Sequence, residues 1–197
     1  MAPHPAPQNS KAELRRAALA RRDALPADRR AEASRRVADA VLAMPALAEA
    51  RLVGAFWPIR SEIDPRPIVE GLFARGQRVV LPQVTPGGLV FREWRAGEAL
   101  VRGGFGLSEP RSDLPPLDPD ALVVPLAAFD RQGQRIGYGR GYYDGAITRL
   151  SALHPVLTVG IAFACQEVEH VPAEPHDRPL DHVVTEDGPV PLAREPA

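Results

Sequence analysis

Six short apolar runs, bordered by proline or glycine, follow one another between residues 52 and 185 of this sequence. Their β-branched content and their length of four to seven residues predict strands, at 52–56, 78–82, 89–94, 122–126, 156–162 and 182–185. Helical patterns lie between several of these runs. Strands separated by helices build a layered sheet that is largely parallel, so we expect an α/β fold with helices against a central sheet.

The predicted helices have clear starts and stops. Ser10 and Glu13 fit a capping box, so the first helix is expected at 11–24. The second is expected at 27–44, where Pro45 stops it. Two shorter helices are expected where apolar residues recur at helical spacing: Ile68, Leu72 and Phe73 ahead of Gly76, and Tyr143, Ile147 and Leu150.

The length of 197 residues favours one domain rather than two. We expect a disordered tail at 1–9, which has three prolines and no periodicity. A single domain is then expected at 10–190 and a C-terminal tail at 191–197. The proline-containing stretch 113–120 is interpreted as a surface connection within that domain.

The charge balance limits the partners of the chain. With 24 Lys and Arg against 25 Asp and Glu, no overall field attracts a polyanion, so no nucleic-acid partner is expected and any phosphate site must be local. The longest apolar run, at 121–129, is well short of the ~20 residues that span a bilayer, so no membrane segment is expected. The single cysteine, Cys165, and the absence of a leader pattern favour the cytoplasm.

A glycine-rich stretch at 129–144 carries the clearest chemical signal. Gly137, Gly139 and Gly141 alternate with other residues between a predicted strand and a predicted helix. Glycine permits positive φ angles, so successive backbone N–H groups can form an anion-binding nest beside the positive end of the helix. The spacing matches neither a P-loop nor a dinucleotide fingerprint. A polyphosphate ligand is the functional interpretation, and a flexible connection is the alternative.

Four cationic side chains could complete such a phosphate site. Arg135 and Arg140 belong to the stretch itself, while Lys11 and Arg15 stand four apart on one face of the first helix. Lys11 is the only lysine among the 24 basic residues. Because an ammonium is more compact than a guanidinium, a lone lysine suggests a place where arginine does not fit. A solvated basic helix is the alternative interpretation.

Two carboxylates and one turn are further candidates for metal and ligand binding. Asp144 follows the glycines and could hold Mg²⁺ beside a phosphate, with Asp177 as a second ligand. The turn 57–64 follows a predicted strand, where α/β proteins bind ligands. Trp57 offers a stacking surface there, and Glu62 offers an acceptor for an amino-bearing ring. Trp57 could equally belong to the core, and Glu62 could cap the next helix.

Six segments occur in the order typical of one enzyme family. They are Lys11-x-x-Leu-Arg15, Glu62-Ile-Asp64, Leu81-Pro82, Phe105-Gly-Leu-Ser-Glu-Pro110, residues 129–144, and His176-Asp177 with residues 180–186. On these segments the chain resembles the 5-formyltetrahydrofolate cyclo-ligases, also called methenyltetrahydrofolate synthetases, over residues 11–186. Six ordered matches are far more specific than any one glycine pattern.

The resemblance implies a single three-layer α/β domain, Rossmann-like and NagB-like. It also implies conversion of 5-formyltetrahydrofolate and ATP, with Mg²⁺, into 5,10-methenyltetrahydrofolate, ADP and phosphate through a phosphorylated formyl group. Family members would bind ATP through residues equivalent to Lys11, Arg15, Arg135, Ile136, Gly137, Tyr138, Gly139, Arg140, Gly141, Tyr142 and Tyr143. Folate contacts would fall to Trp57, Glu62, Tyr138 and Tyr142, and the magnesium ion to Asp144 and Asp177.

The sequence departs from the family pattern at three positions. Arg140 stands where many bacterial relatives have glycine, Trp57 where tyrosine is frequent, and Gly145 where arginine often follows the acid. Two other classes stay open at this point. One is a binding module on the same scaffold that holds RNA or folate without turnover, although the near-neutral charge argues against RNA. The other is a nucleotide-dependent enzyme that acts on a sugar phosphate.

Overall fold

The computed structural model of this chain describes residues 10–193. The helices are α1 (Lys11–Asp23), α2 (Ala27–Leu42), α3 (Pro45–Glu49), α4 (Arg66–Ala74) and α5 (Tyr142–Ser151). The strands are β1 (Leu52–Gly54), β2 (Arg78–Thr85), β3 (Gly88–Trp94), β4 (Val101–Arg102), β5 (Ser108–Glu109), β6 (Pro116–Leu117), β7 (Ala121–Pro125), β8 (Ala128–Phe129), β9 (Arg135–Ile136), β10 (Leu157–Ile161), β11 (His182–Thr185) and β12 (Gly188–Pro189). Short 3-10 turns occur at Gly104–Gly106 and Ala164–Gln166.

Eight strands form the central sheet, in the order β12-β11-β10-β7-β1-β2-β3-β6. The strands from β11 to β2 are parallel to one another, whereas β12, β3 and β6 pair antiparallel at the two edges. The expected α/β fold, with a largely parallel central sheet flanked by helices, is therefore confirmed. Two small ladders, β4 with β5 and β8 with β9, lie outside the sheet.

Helices cover both faces of the sheet. Along β7, Ala121 and Val123 belong to the core that includes residues of α2 and α4, while Leu122 and Val124 belong to the core that includes residues of α5. All four side chains are fully buried. A parallel strand covered on both faces has a continuous apolar sequence, which explains why this strand was easily predicted.

The helix boundaries follow local signals, with one correction. Ser10 Oγ accepts a hydrogen bond from the Glu13 backbone N–H, and the Ser10 N–H donates to the Glu13 carboxylate, so the predicted capping box is present. The second helix ends at Leu42 instead of residue 44, and Pro45 begins α3. Proline suits that first helical position, because its missing N–H would have no partner within the helix.

Two strand predictions also need correction. Strand β2 continues to Thr85, past the predicted end at residue 82. Proline has no backbone N–H to donate to a neighbouring strand. Pro82 is tolerated in β2 because β1 pairs only with residues 78–80, so no β1 residue beside Pro82 needs that donor. The stretch 113–120 is more than a connection, since it contributes β6 to the edge of the sheet beside β3.

The tail predicted at 1–9 lies outside the described residues. Within the tail predicted at 191–197, the Ala193 N–H donates to the Arg131 carbonyl oxygen at 2.7 Å. The domain limits stay a prediction. Among the helices at 10–193, none has both the length and the apolar character to cross a membrane.

Candidate active site

A cavity of about 540 Å³ lies near the carboxyl ends of β1, β2 and β7, where α/β proteins bind ligands. Phe56, Pro82 and Pro125 line it on that side. Every site residue that the sequence indicated also lines this cavity: Lys11, Arg15, Trp57, Glu62, Arg135, Ile136, Gly137, Tyr138, Gly139, Arg140, Gly141, Tyr142, Tyr143, Asp144 and Asp177. The structure thus brings all the candidates together, and the function of each one stays a prediction.

The glycine-rich loop joins β9 to α5. Gly139 and Gly141 have φ angles of 88° and 64°, in the left-handed region that favours glycine. Arg15 Nε donates to the Gly137 carbonyl oxygen at 2.6 Å, so a side chain of α1 holds the loop. Gly141 is the N-cap of α5, and no side chain caps the helix there. The positive end of a ten-residue helix is therefore available to an anion in the cavity.

Lys11 and Asp177 are paired with each other. Lys11 Nζ lies 2.6 Å from Asp177 Oδ2 and 2.9 Å from Glu174 Oε2. Burial alone would raise the pKa of Asp177, but hydrogen bonds from Lys11 and from the Glu174 backbone N–H hold that pKa below its usual value. Glu174, His176 and Asp177 also bring one potential ligand atom each within 4.8 Å of one another. Glu174 was not among the predicted ligands.

Arg135 holds Asp144 in place. Its Nη2 lies 2.8 Å from Asp144 Oδ1, which also accepts a hydrogen bond from the Arg178 backbone N–H at 3.1 Å. The Arg135 side chain is 4% exposed, and its Nη1 donates to the Arg178 carbonyl oxygen. Burial lowers the pKa of Arg135, and the Asp144 carboxylate acts against that change. One end of the cavity is formed by Lys11, Arg15, Glu174, Asp177 and all of residues 135–144 apart from Tyr138. We call this group the loop end of the cavity.

Glu62 lies in the turn 57–64. Its Oε2 accepts a hydrogen bond from the Ile59 backbone N–H at 2.9 Å. Burial raises the pKa of Glu62, and hydrogen bonds from Ile59 and Tyr138 offset the increase only in part. Arg60, in the same turn, adopts a φ of 53°, a left-handed conformation that costs a non-glycine residue roughly 1 kcal/mol or more. The turn therefore presents a half-buried acceptor on a constrained backbone.

Arg22 is the principal residue that the sequence prediction missed. Its Nη1 donates to the Tyr138 hydroxyl at 2.9 Å, and its Nε donates to Ser61 Oγ at 3.0 Å. Burial raises the pKa of Tyr138 to about 12. Arg22 could have been found on the helical wheel, because eleven residues of an α-helix place it about 20° from Lys11. We call Trp57, Glu62 and Tyr138, which line the cavity, together with Arg22 and Ser61, which bond to each other without lining it, the turn end of the cavity.

Three of the aromatic candidates, Trp57, Tyr142 and Tyr143, both line the cavity and pack against the core. Trp57 is half-buried, with its ring centroid 5.5 Å from that of Trp94 in an edge-on arrangement. Tyr142 packs against the core on the α5 face of the sheet. The Tyr143 hydroxyl is buried and makes no hydrogen bond within residues 10–193. Trp57 therefore satisfies both interpretations, since it packs against the core and also lines the cavity.

Fold and cavity together define an α/β protein with a cavity, lined by charged and aromatic side chains, beyond its strand ends. The sequence profile of the 5-formyltetrahydrofolate cyclo-ligase family matches residues 7–186, and the chain belongs to this family. The resemblance inferred from the six segments, and with it the expectation of an enzyme of this family, is confirmed.

Individual relatives agree with this assignment. The chain is 35% identical to the 5-formyltetrahydrofolate cyclo-ligase of Escherichia coli K12 over 172 residues, which cover 84% of this chain and 94% of that protein. It is 30% identical to the enzyme of the same name from Saccharomyces cerevisiae, over 84% of this chain and 90% of that protein. Among solved structures, 5,10-methenyltetrahydrofolate synthetase of Aquifex aeolicus has a TM-score of 0.81 at 29% identity and covers 95% of both chains.

Proposed function

We propose that this chain converts 5-formyltetrahydrofolate and ATP, with Mg²⁺, into 5,10-methenyltetrahydrofolate, ADP and phosphate. The observation that carries the proposal is that one cavity has the glycine loop and the uncapped start of α5 at one end and the half-buried carboxylate of Glu62 at the other. The names of the family and of its relatives supply the folate substrate and the product. Each end of the cavity matches the chemistry of one substrate.

The loop end suits the triphosphate of ATP. Backbone N–H groups of the glycine loop and the uncapped start of α5 can donate to phosphate oxygens without needing to reorganise. Arg140 is exposed on this loop and lines the cavity, so its guanidinium can approach a phosphate. Arg15 and Arg135 are engaged with the Gly137 carbonyl oxygen and with Asp144, respectively. In this proposal Arg15 and Arg135 fix the shape of the loop and also contribute positive charge near the phosphates.

The donor set fits a magnesium ion. Asp144, Asp177 and Glu174 contribute carboxylates to the same cavity, and carboxylate oxygens with phosphate oxygens are the usual ligands of Mg²⁺ in proteins. Asp144 and Asp177 would hold the ion, which would neutralise charge on the phosphates when bound. Lys11, which pairs with Asp177 at 2.6 Å, would then be released towards the phosphate chain.

The turn end suits the pterin ring of the folate. Glu62 offers a carboxylate to the amino group and ring N–H of a pterin, and Trp57 offers an aromatic face. Tyr138 belongs to the glycine loop but contacts the turn end, through its hydrogen bond with Arg22. This residue therefore couples the position of the ring to the position of the loop.

The reaction needs alignment more than a covalent catalyst. The formyl oxygen forms a bond to the γ-phosphorus as the bond from that phosphorus to the ADP oxygen breaks. N10 then attacks the formyl carbon, phosphate leaves with the formyl oxygen, and the N10 proton passes to solvent. The loop end offsets the charge of the transferring phosphoryl group. Holding both substrates in one cavity supplies a proximity contribution that can reach about 7–11 kcal/mol.

The proposal is tested by mixing the purified chain with 5-formyltetrahydrofolate, ATP and Mg²⁺ and following the near-ultraviolet absorbance of the methenyl product. We expect absorbance to rise only when all three are present, with one ADP released per methenyl group formed. Folate binding without absorbance change would instead indicate a sequestering protein. ATP consumption that depends on a sugar phosphate would instead indicate a nucleotide-dependent enzyme that acts on sugar phosphates.

A further inference from the structure

We propose that Arg22 is a positioning residue that keeps the folate half of the cavity in its binding arrangement. This inference rests on the proposed function, because it concerns how the turn end receives the ring. Arg22 is not among the described residues that line the cavity, so it would act through Ser61, Glu62 and Tyr138.

The contacts of Arg22 join three separate segments. Its side chain extends from α1 and is about 2% exposed, with hydrogen bonds to Ser61 in the turn and to Tyr138 in the glycine loop. Nε also lies 3.5 Å from Asp23 Oδ1. Ser61 Oγ in turn donates to Asp23, which closes the network. A planar guanidinium fixes the directions of its hydrogen bonds, so the two segments are held in one relative position.

Arg22 also affects the charge of the turn end. Glu62 interacts with two cations, Arg22 and Arg60, and with the hydroxyls of Tyr138 and Tyr143. Burial raises the pKa of Glu62, and the positive charge of Arg22 acts in the opposite direction. Loss of that charge would leave Glu62 protonated over a wider pH range. A protonated Glu62 is a poorer acceptor for the N–H groups of a pterin.

The decisive variant is Arg22→Gln, which removes the charge and retains a polar side chain. We expect its affinity for 5-formyltetrahydrofolate to fall roughly tenfold at pH 7, as for loss of one hydrogen-bonded charge, while its affinity for ATP is unchanged. The acidic decline of folate binding should also move to higher pH, because the positive charge that opposes protonation of Glu62 is lost. Quenching of tryptophan fluorescence in titrations from pH 5 to pH 9 measures both effects.

Two further variants separate positioning from structural damage. Arg22→Lys keeps the charge but cannot reach both partners, so folate binding should weaken while the acidic decline stays in place. Arg21→Gln is the matched control, because Arg21 is the neighbouring residue of α1 and bonds only to the backbone oxygens of Cys165 and Glu167 in the contacts described. It should leave folate binding and its pH dependence unchanged.

The outcomes distinguish this inference from the proposed function. If the unmodified chain fails to bind 5-formyltetrahydrofolate, the proposed function is wrong and the inference falls with it. If the unmodified chain binds folate, and the Arg22→Gln and Arg21→Gln proteins show the same affinity and pH dependence, only the inference is wrong. If the Arg22→Gln protein misfolds and so loses ATP binding, the Arg22→Lys protein provides the test. Folate affinity of the Arg22→Lys protein equal to that of the unmodified chain would overturn the inference.

Discussion

The two ends of the cavity are built in different ways. At the loop end, the glycine loop leads into the start of α5, whose backbone N–H groups have no side-chain cap, and Lys11 and Arg135 pair with Asp177 and Asp144. At the turn end, side chains from three segments meet around Arg22, whose side chain is about 2% exposed. Backbone donors tolerate many neighbours, whereas a side-chain network depends on each member. The ends should therefore respond differently to substitution.

The largest effect is expected from removing cations at the loop end. Lys11→Ala and Arg140→Ala should each lower turnover by roughly 10²-fold, comparable to losing one preorganised donor. Steady-state kinetics with varied ATP measures this loss. Arg149→Ala is a control on α5, because Arg149 pairs with Asp118 outside the cavity lining. Near-normal rates at saturating ATP in both loop-end variants would remove their assigned functions.

A smaller effect is expected from Glu62→Gln at the turn end. Folate affinity should fall roughly tenfold, with ATP affinity unchanged, because a hydrogen bond to a charged acceptor is lost. In the unmodified chain, folate binding should weaken as pH falls through the raised pKa of Glu62, at a higher pH than for an ordinary glutamate. The variant should lack that decline. Fluorescence titration measures both, with exposed Glu32→Gln as the control; an unchanged folate affinity would place the pterin contact elsewhere.

The smallest effect is expected in stability. Lys11→Met should lower the free energy of unfolding by about 1 kcal/mol at pH 7, the scale of a partly exposed ion pair. Because the folded-state pKa of Asp177 is lowered, its contribution is present above the unfolded-state pKa and is lost as pH falls through the folded-state value. The two proteins should therefore become equally stable in acid. Urea unfolding at pH 7 and at a series of lower pH values measures this.

The control for that measurement is an exposed pair of equal length. Arg111 and Asp113 are also 2.6 Å apart, but their side chains are 65% and 60% exposed. Arg111→Met should leave the unfolding free energy unchanged. An equal loss of unfolding free energy in the Lys11→Met and Arg111→Met proteins would show that the Lys11–Asp177 pair stabilises the fold no more than an exposed ion pair does.

Much of the fold could be predicted because its signals are local. Ser10 and Glu13 lie within one helical turn, and β7 is continuously apolar because both of its faces are covered. The short edge strand β6 escaped prediction, since two residues give no pattern and its partner β3 supplies the context. The length of β2 depended in the same way on β3, which pairs with it from Val79 to Thr85.

In the candidate site, too, features with a local sequence signal could be predicted and contacts between distant segments could not. The glycine loop was recognised from its own residues, and the structure places every predicted residue around one cavity. The pairing of Lys11 with Asp177 and Glu174 joins positions more than 160 apart in sequence, so no local pattern could reveal it. Arg22 and Tyr138 are 116 residues apart and were missed as a pair for the same reason.

Helix α1 contacts both ends of the cavity through Lys11, Arg15 and Arg22 on one face. Since an α-helix rises 1.5 Å per residue, the first and last of these are separated by about 16 Å along its axis. The length of the helix thus sets the distance between its contacts at the loop end and at the turn end. Inserting a single amino acid between Arg15 and Arg22 would turn Arg22 by about 100° around the helix axis relative to Lys11 and Arg15, so α1 could no longer keep its contacts at both ends of the cavity.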